Sequence, residues 1–498
     1  MSPVATGARG RLLRMAAAAA IVPLVAGCAL PGGLFGTVGP DYATPAPPAA
    51  RWHAAPPAAH GGSAAALARW WAQFDDAALV ALIDAAQRDS ASLADAAARI
   101  ARARADAVAA GAAGNPSLDA TAGANRSAFS FGGPAVMRTQ ASVGLQSSWE
   151  IDLFGGLARQ REAARAQLEA ARAQWHDARV ALAAEVANAY ANHRLCELQV
   201  ELARADGASR EETARLTGIA ADAGLQSSAA AALARASAAD AAATLAQRRA
   251  ECEIGIKGLV ALTGLDEPAL RAVLARAAGS APALPKPARF AIDALPATVL
   301  AQRPDVAAAE RELAAASAEI GVAEAERYPR LTLAGNVTPT RSRLDGSPTI
   351  SVTTWSIGPA LVLPLADGGR RAANVDAARA RYTAAAAQYR ARARQAVREV
   401  EEALVRLASV DTRDADTRRA AAGYRAGLAA AQTRQRAGLA SVAEVEDARR
   451  TALAAEAALV ALEYEGLSAW IALYRAAGGG WERDAAASAM VLPEGQKQ

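Results

Sequence analysis

The chain repeats itself at a fixed spacing, and this duplication restricts its fold more than any other feature. Ala163–Arg165 recurs at Ala377–Arg379, and the Ala-Gly-Leu triplet at 223–225 recurs at 437–439, both 214 residues later. Alanine-rich sequence alone would scatter such matches over many offsets. A constant offset over about a hundred residues indicates that one long structural unit occurs twice.

Two long segments without glycine or proline predict long helices, Leu157–Asp206 in the first copy and Arg370–Ala422 in the second. At about 1.5 Å per residue these helices would be about 75 and 80 Å long. Each is predicted to turn at a glycine and return as a second helix. Apolar positions at steps of 3 and 4 indicate a seam for neighbouring helices, with a spacing compatible with either supercoil hand.

Two predicted strand pairs precede these helices, at about 117–151 and 331–363. Apolar residues alternate there in part with polar or small ones, as in half-buried strands. The stretches 127–139 and 341–349 have loop composition and are predicted as the connections. Strands of about 9 to 11 residues would be long enough for tilted transmembrane strands.

The strands have two interpretations, a soluble four-stranded sheet or a sheet in a membrane. The few aromatic residues favour the membrane, because several lie in or beside the strands, as interfacial aromatic girdles do. Four strands cannot close a barrel, since the smallest outer-membrane barrels have about eight. A membrane sheet would therefore require an oligomer. The aromatic residues concerned are Phe129, Phe131, Trp149, Phe154, Tyr328 and Trp355.

The N-terminus has the pattern of a bacterial lipoprotein signal peptide. Arginines precede the apolar run Met15–Val25, and Leu-Val-Ala-Gly directly precedes Cys28. Cleavage would remove residues 1–27 and leave a covalent lipid on Cys28, with enough acyl chains for stable anchoring. Ala29, in place of Asp, is typical of sorting to the outer membrane. The alternative is an ordinary secretory signal peptide with an incidental cysteine.

The charge of the chain does not indicate a nucleic-acid partner. The predicted signal peptide holds three arginines and no acidic residue, so the formal charge falls from +4 to about +1 on cleavage. Acidic residues are interleaved with arginines along the helices, which is typical of a solvated, ion-paired surface. No later stretch has the roughly 18 uninterrupted apolar residues of a transmembrane helix.

The domain organisation follows from these segments and from the prolines between them. One of Asp75 and Asp76 is available to cap a helix ahead of Leu79. We expect a lipidated tether at 28–65, a first repeat at 66–278 with its helix hairpin at about 157–265, a Pro-rich connection at 279–296, a second repeat at 297–481 with its hairpin at about 370–477, and a flexible tail at 482–498.

The residues show no catalytic or metal-binding pattern, which argues against an enzyme. The four histidines lack metal-ligand spacing, and no nucleophile has an evident base. Gly478–Gly480 lacks the Lys and Ser/Thr of a phosphate loop. Cys196 and Cys252 lie equally far from the predicted turn at Gly224. In an exported chain they form either a disulfide or two buried free thiols.

Six motifs in fixed order resemble the outer-membrane factor lipoproteins of resistance-nodulation-division efflux systems, the TolC-like NodT/OprM family. The resemblance implies a mainly α, internally duplicated TolC-like fold with a transmembrane β part. It also implies a homotrimer with one 12-stranded β-barrel and a periplasmic α-barrel. The motifs are Trp70-Trp71-x-x-Phe74, Ser148–Gly155, Arg303-Pro304-Asp305-Val306-x-x-Ala309-Glu310, Ile320–Ala323, Tyr328-Pro329 and Leu473-Tyr474-Arg475-Ala476-x-Gly478-Gly479-Gly480-Trp481.

The resemblance also implies a periplasmic gate on the helix that returns from the second turn. The family has a leucine, an aspartate four residues later and an arginine three further, which correspond here to Ala443, Asp447 and Arg450. Ala443 departs from the pattern, and Val442 is a neighbouring candidate for the apolar position. Asp447 and Arg450 share a helix face. The alternative is an ordinary surface ion pair, worth less than about 1 kcal/mol.

The function implied is a passive export duct of a tripartite multidrug or solute efflux pump in the outer membrane of a Gram-negative bacterium. Its partners would be an inner-membrane transporter and a periplasmic adaptor, the latter at hairpin tips that include Gly224, Leu225, Gly438 and Leu439. Three copies of the chain, each with two repeats, close a ring of near-sixfold character, whereas two copies would give an eight-stranded barrel filled by side chains. The alternative is a lipid-anchored coiled-coil spacer or adhesin without channel activity.

Overall fold

The structure, a computed structural model, describes residues 36–45, 51–55, 64–130, 132–277, 283–287, 289 and 296–481. The predicted signal peptide, the lipidation site Cys28 and the predicted tail lie outside the described residues, as does Phe131. Within the described ranges, the helices are too short or too polar to cross a membrane.

Helices and strand pairs follow one another in the same order in both halves of the chain. A 3₁₀ helix, Ala64–Phe74, comes first. The strands are β1 Ser117–Phe129, β2 Val136–Ile151, β3 Arg330–Leu344 and β4 Ile350–Val362. The α-helices are α1 Ala77–Asp89, α2 Ala91–Ala112, α3 Gly156–Asp222, α4 Ser228–Thr263, α5 Glu267–Ala277, α6 Pro296–Ala301, α7 Pro304–Ala325, α8 Arg370–Arg436 and α9 Val442–Ala476.

The duplication is visible in the boundaries of the two longest helices. Helices α3 and α8 have 67 residues each. They begin at residues 156 and 370 and end at 222 and 436, which is an offset of 214 at both ends. Each is about 100 Å long. The predicted mainly helical, internally duplicated fold is confirmed. The helices continue through their internal glycines because each glycine destabilises a helix by only about 1 kcal/mol relative to alanine.

The chain divides into two compact units. The first comprises the described residues within Met1–Pro45, Ile100–Ala171 and Ala309–Tyr389, and it contains a single antiparallel sheet with the strand order β1-β2-β3-β4. Each strand pairs with its sequence neighbour, so β1 and β4 are the edge strands. The second unit comprises the described residues within Ala46–Arg99, Arg172–Ala308 and Arg390–Gln498.

The strands are longer than predicted, with 13, 16, 15 and 13 residues. The prediction of loops at 127–139 and 341–349 was wrong at their ends. Ser127 pairs with Arg138, and Arg138 pairs in turn with Leu344. Backbone pairing continues there because the antiparallel ladder requires N–H and C=O groups, not an alternation of side chains.

Aromatic residues concentrate in the core of the second unit. Trp70 is stacked on Tyr474 at 4.9 Å between ring centroids, and Phe74 meets Trp70 edge-on at 4.7 Å. Trp71 packs against Tyr474 at 4.6 Å. The Trp-Trp motif and the Leu-Tyr-Arg-Ala motif, far apart in sequence, are therefore halves of one hydrophobic cluster.

Asp76 begins helix α1 in the same unit, as predicted for an aspartate here. Its carboxylate accepts hydrogen bonds from the backbone N–H groups of Ala78 and Leu79, both at 3.1 Å. The buried Tyr190 hydroxyl donates to the other carboxylate oxygen at 2.8 Å. Burial, together with the charge of Asp76, raises the pKa of Tyr190. This pair fixes the start of α1 to the middle of α3.

Candidate functional site

The sheet of the first unit has one apolar and one polar face. Directly opposed residues of antiparallel strands share a face, so the strand register shows on which face of the sheet each residue lies. Leu118, Val143, Trp355 and Ile357 lie on one face and are 64 to 74% exposed. Apolar residues at this exposure cost free energy in water. The other apolar side chains of this face include Leu145, Trp149, Leu333, Val337 and Leu361.

The opposite face of the sheet is polar along most of its length. It carries Asp119, Asn125, Gln140 and Asn336 with many serines and threonines, and Thr338 lies over Gly144. A Cβ at position 144 would lie 2.7 Å from the Thr338 hydroxyl oxygen, so glycine is required for this close approach. One face fits hydrocarbon and the other fits water, which is the alternation of transmembrane barrel strands.

Several of the aromatic residues expected as girdles lie near the ends of the strands. The Trp149 indole N–H donates to the Gly114 carbonyl at 3.0 Å, close to where the chain enters the sheet. Phe154 and Tyr328 stack at 4.7 Å beside the same end. Trp355, in contrast, lies within β4 opposite Val337, in the middle of the apolar face.

The N-terminal segment packs on the first unit and does not extend as a free tether over 36–45. The buried Arg159 side chain donates to the Val38 carbonyl at 3.1 Å and pairs with Asp41 at 2.6 Å. A Cβ on Gly39 would lie 2.4 Å from the Gly321 Cα, so these two backbones touch. Such a contact explains the glycine of the Ile-Gly-Val-Ala motif, for which the sequence offered no reason.

Both helix hairpins end in the same turn. Gly224 and Gly438 have positive φ angles of 73° and 72°, and the following leucine N–H bonds back to the carbonyl five residues earlier at 2.8 Å in both. This is the Schellman arrangement, which requires a left-handed residue after the helix. Leu225 and Leu439 are 79% and 69% exposed at the tips. The structure therefore presents two equivalent apolar tips.

All four predicted gate residues line one groove of the second unit, between the tip-proximal parts of the hairpins. Asp447 and Arg450 form an ion pair one turn apart on α9, and their side chains are 71% and 49% exposed. Ala443 is exposed, and Val442 is half-buried at the start of α9. The ion pair therefore joins two residues of the same helix.

Sequence reasoning missed a buried carboxylate next to this pair. Glu446 is 8% exposed, and it accepts hydrogen bonds from Thr213 at 2.7 Å and Ser209 at 3.3 Å, both on α3. It also forms an ion pair with Arg449. We call Glu446 with Ser209 and Thr213 the α3–α9 bridge, since it joins one hairpin to the other.

A signal for the α3–α9 bridge exists in the sequence, in the positions at which the two copies differ. At the offset of 214, Ser209 and Thr213 correspond to Gly423 and Gly427, and Glu446 corresponds to an alanine. The polar side chains are thus present only on α3 and α9. Burying a charged side chain costs free energy, so its presence in only one of the two copies indicates a specific role for the pair α3 and α9.

A second buried charge network holds the end of α9. Arg303 is 5% exposed; it donates to Asp305 at 2.8 Å, to Glu399 at 2.7 Å and to the Ala476 carbonyl at 3.0 Å. Burial alone would lower the pKa of Arg303, but its bonds to Asp305 and Glu399 raise it. The Arg-Pro-Asp motif is therefore a structural clamp on the C-terminus of α9.

The two remaining cysteines are joined in the structure. Cys196 on α3 and Cys252 on α4 form a disulfide with a Cα–Cα distance of 5.6 Å, within the usual range. The bridge connects the two helices of the first hairpin below its tip. Of the two alternatives, a disulfide or two buried free thiols, the structure shows the disulfide.

The histidines and carboxylates do not assemble into a chemical site in the described part of the chain. No group of three or more metal-binding side chains occurs there. Burial, and secondarily the charge of Arg179, lowers the pKa of His176 to about 4, so this ring is neutral at ordinary pH. His176 packs edge-on against Trp175 at 4.9 Å. Its environment is that of a packing residue.

Comparisons with known proteins agree with the geometry. The chain is 30% identical over 451 residues to nodulation protein T of Rhizobium leguminosarum bv. viciae, covering 89% of both chains. It is 31% identical over 458 residues to outer membrane protein OprJ of Pseudomonas aeruginosa, covering 90% of this chain and 93% of that relative.

Solved structures of outer-membrane proteins share the fold. The outer-membrane channel OprN superposes with a TM-score of 0.80 at 31% identity, covering 89% of this chain and 99% of that one. VceC from Vibrio cholerae gives a TM-score of 0.75 at 29% identity, covering 83% and 99%. Residues 82–265 and 295–479 each match the family model described as outer membrane efflux protein, so the chain belongs to this family of outer-membrane transport channels, which are not enzymes.

Proposed function

We propose that the chain is a passive, trimeric export duct of a tripartite efflux pump, anchored in the outer membrane by a lipid on Cys28. The observation that supports it most is the four-stranded sheet with an exposed apolar face, a polar face and two edge strands. Edge strands of 13 residues expose unpaired backbone groups, which a membrane does not tolerate. Pairing β4 with β1 of a neighbouring copy removes both edges.

Three copies of the chain would give a barrel with an open lumen. They give twelve strands, whereas two give eight, and an eight-stranded barrel is filled by its own side chains. In this arrangement the apolar face contacts lipid and the polar face lines the duct. Reconstitution in planar bilayers tests the proposal: a duct gives discrete current steps, and a coiled-coil spacer or adhesin gives none.

The partners follow from the hairpin tips. Leu225 and Leu439 would provide paired apolar contacts for a periplasmic adaptor, with Gly224 and Gly438 setting the turn geometry. Energy would come from an inner-membrane transporter, the partner that the family resemblance implies. Its relatives include the toluene efflux pump outer membrane protein TtgI of Pseudomonas putida, at 29% identity.

The periplasmic gate would consist of the exposed Asp447–Arg450 pair, the adjoining Ala443 and Val442, and the α3–α9 bridge. In a trimer, three copies of Asp447 and Arg450 would form a charged ring around the duct axis. The bridge would hold the returning helix α9 against α3 and so keep that ring narrow. Opening then requires breaking the hydrogen bonds of Glu446.

Lipidation has its own test. Cys28→Ser should abolish incorporation of an alkyne-labelled fatty acid, because the thioether lipid needs the sulfur atom. Cys196→Ser combined with Cys252→Ser is the matched control and should keep the label, since these residues are bonded to each other. Labelling of the Cys28→Ser protein at the wild-type level would refute the lipid anchor.

The docked N-terminal segment would restrict where that lipid enters the membrane. Val38 is hydrogen-bonded through its backbone to Phe154 and Arg159 in the unit that contains the sheet. Ten residues separate it from Cys28, a span of at most about 35 Å. The anchor would therefore insert beside the barrel that carries it.

A further inference from the structure

Three arginines lie on the apolar face of the sheet, near the two hairpin turns. Arg126 on β1 pairs with Thr139 on β2, and Thr139 pairs with Arg343 on β3. Arg341 pairs with Ala141 one step further from the turns on the same face. We call Arg126, Arg341 and Arg343 the rim arginines. Arg341 and Arg343 lie in a strand end that sequence composition had assigned to a loop, and Arg126 directly precedes the other such stretch.

The rim arginines are close enough to act together. Adjacent strands are about 4.8 Å apart, so the backbones at Arg126 and Arg343 are separated by about 10 Å across Thr139. Arg341 follows about 7 Å along the strand from Arg343. Extended arginine side chains reach several ångströms, so three guanidinium groups can converge on one multiply charged headgroup.

No carboxylate neutralises them on this face. All three are exposed, and in the part of the chain that the structure describes none of them forms an ion pair. Asp119 and Glu150 lie on the polar face, and Glu150 pairs with Arg330 at the opposite end of the strands. Asp345 belongs to the β3–β4 turn. The patch is therefore an uncompensated positive charge.

The apolar band continues directly below the rim arginines. Val143 and Leu145 on β2, with Val337 on β3, follow Ala141 away from the turns on the same face. A molecule that fits both parts has anionic groups at one end and hydrocarbon at the other. A soluble anion would bind the arginines but would not cover the apolar side chains. A lipid has its charged headgroup and its hydrocarbon chains in the same order along the strands as the arginines and the apolar side chains, whereas a polypeptide has no such fixed order.

We propose that Arg126, Arg341 and Arg343 bind the phosphate groups of a phosphorylated, acylated glycolipid in the outer leaflet of the membrane. Guanidinium groups recognise phosphate by paired, charge-assisted hydrogen bonds. The acyl chains then cover Val143, Leu145 and Val337. This inference rests on the proposed function, since only a membrane-embedded sheet presents its apolar face to lipid.

The test counts lipids bound to the detergent-solubilised, full-length protein by native mass spectrometry. The probes are diphosphoryl lipid A and its fully dephosphorylated counterpart. The triple variant Arg126→Gln, Arg341→Gln and Arg343→Gln should bind diphosphoryl lipid A roughly 100-fold more weakly, at about fivefold per arginine. Arg138→Gln is the matched control, because Arg138 lies at the same end on the polar face and contacts Ser342.

Two results would overturn the assignment. One is equal binding of both lipids by the wild-type protein, and the other is unchanged binding of diphosphoryl lipid A by the triple variant. Bilayer conductance of the same preparations separates this outcome from failure of the proposed function. Conductance without phosphate-dependent binding removes the lipid site and leaves the duct, whereas absence of conductance in every preparation removes the duct itself.

Discussion

Replacing Arg303 by alanine should destabilise the protein by about 3 to 5 kcal/mol, the usual cost of leaving buried charges unpaired. The substitution removes the donor for Asp305, Glu399 and the Ala476 carbonyl together. It leaves two carboxylates without their cation and the end of α9 without its clamp. The chemical denaturation midpoint of the solubilised protein, followed by far-UV circular dichroism, measures the effect.

The matched control for Arg303 is Arg419→Ala. Arg419 pairs with Asp416 at 2.7 Å, but both side chains are more than three-quarters exposed. Removing such a surface pair should change stability by less than about 1 kcal/mol. A midpoint shift for Arg303→Ala no larger than that of Arg419→Ala would show that the buried network does not hold α9. Arg303→Lys should lie between them, because lysine lacks the planar fork.

Replacing Glu446 by glutamine should open the duct. The change removes the charge that Thr213 and Ser209 bond to and leaves Arg449 without its partner. Hydrogen bonds to a charged group contribute about 1.5 to 3 kcal/mol, so each protomer should favour the open arrangement at least about tenfold more. The open-channel probability in planar bilayers measures this, and uptake of a large antibiotic by whole cells reports it independently.

Two further variants show whether the effect comes from the α3–α9 bridge. Thr213→Val should open the channel less than Glu446→Gln, and the double variant should open no further than Glu446→Gln alone, because both remove one interaction. Glu463→Gln is the control on the same helix, where the carboxylate pairs with Arg418 on α8 at 3.0 Å away from the tip. Equal opening by Glu463→Gln would contradict a specific bridge.

Features that repeat along the chain were predictable from the sequence. Periodicity and the positions of glycines predicted the duplication and the long helices α3 and α8. Local hydrogen-bonding chemistry predicted that an aspartate, here Asp76, caps α1. These depend on residues close in sequence or on a match between copies. The family resemblance, carried by six motifs, is confirmed by the match to outer membrane efflux proteins.

Features that join distant segments were not predicted from the sequence, although the differences between the two copies hold a signal for one of them, the α3–α9 bridge. Residues 303, 399 and 476 meet in the Arg303 network, and residues 39 and 321 touch through glycine backbones. The α3–α9 bridge likewise joins residues more than two hundred positions apart. Composition also placed 127–139 in a loop, although half of it continues the strands. Strand pairing continues there through arginines and serines, which do not show the side-chain pattern typical of strands, so composition could not predict it.

Single-channel recording in planar bilayers is the most direct test of the central claim. The wild-type protein should give infrequent or small current steps, and the Glu446→Gln and Asp447→Ala proteins should give larger or longer ones, because each loosens the proposed gate. The Glu463→Gln protein should behave as the wild type. Complete absence of current steps from all four proteins, with the protein present in the bilayer, would contradict an export duct.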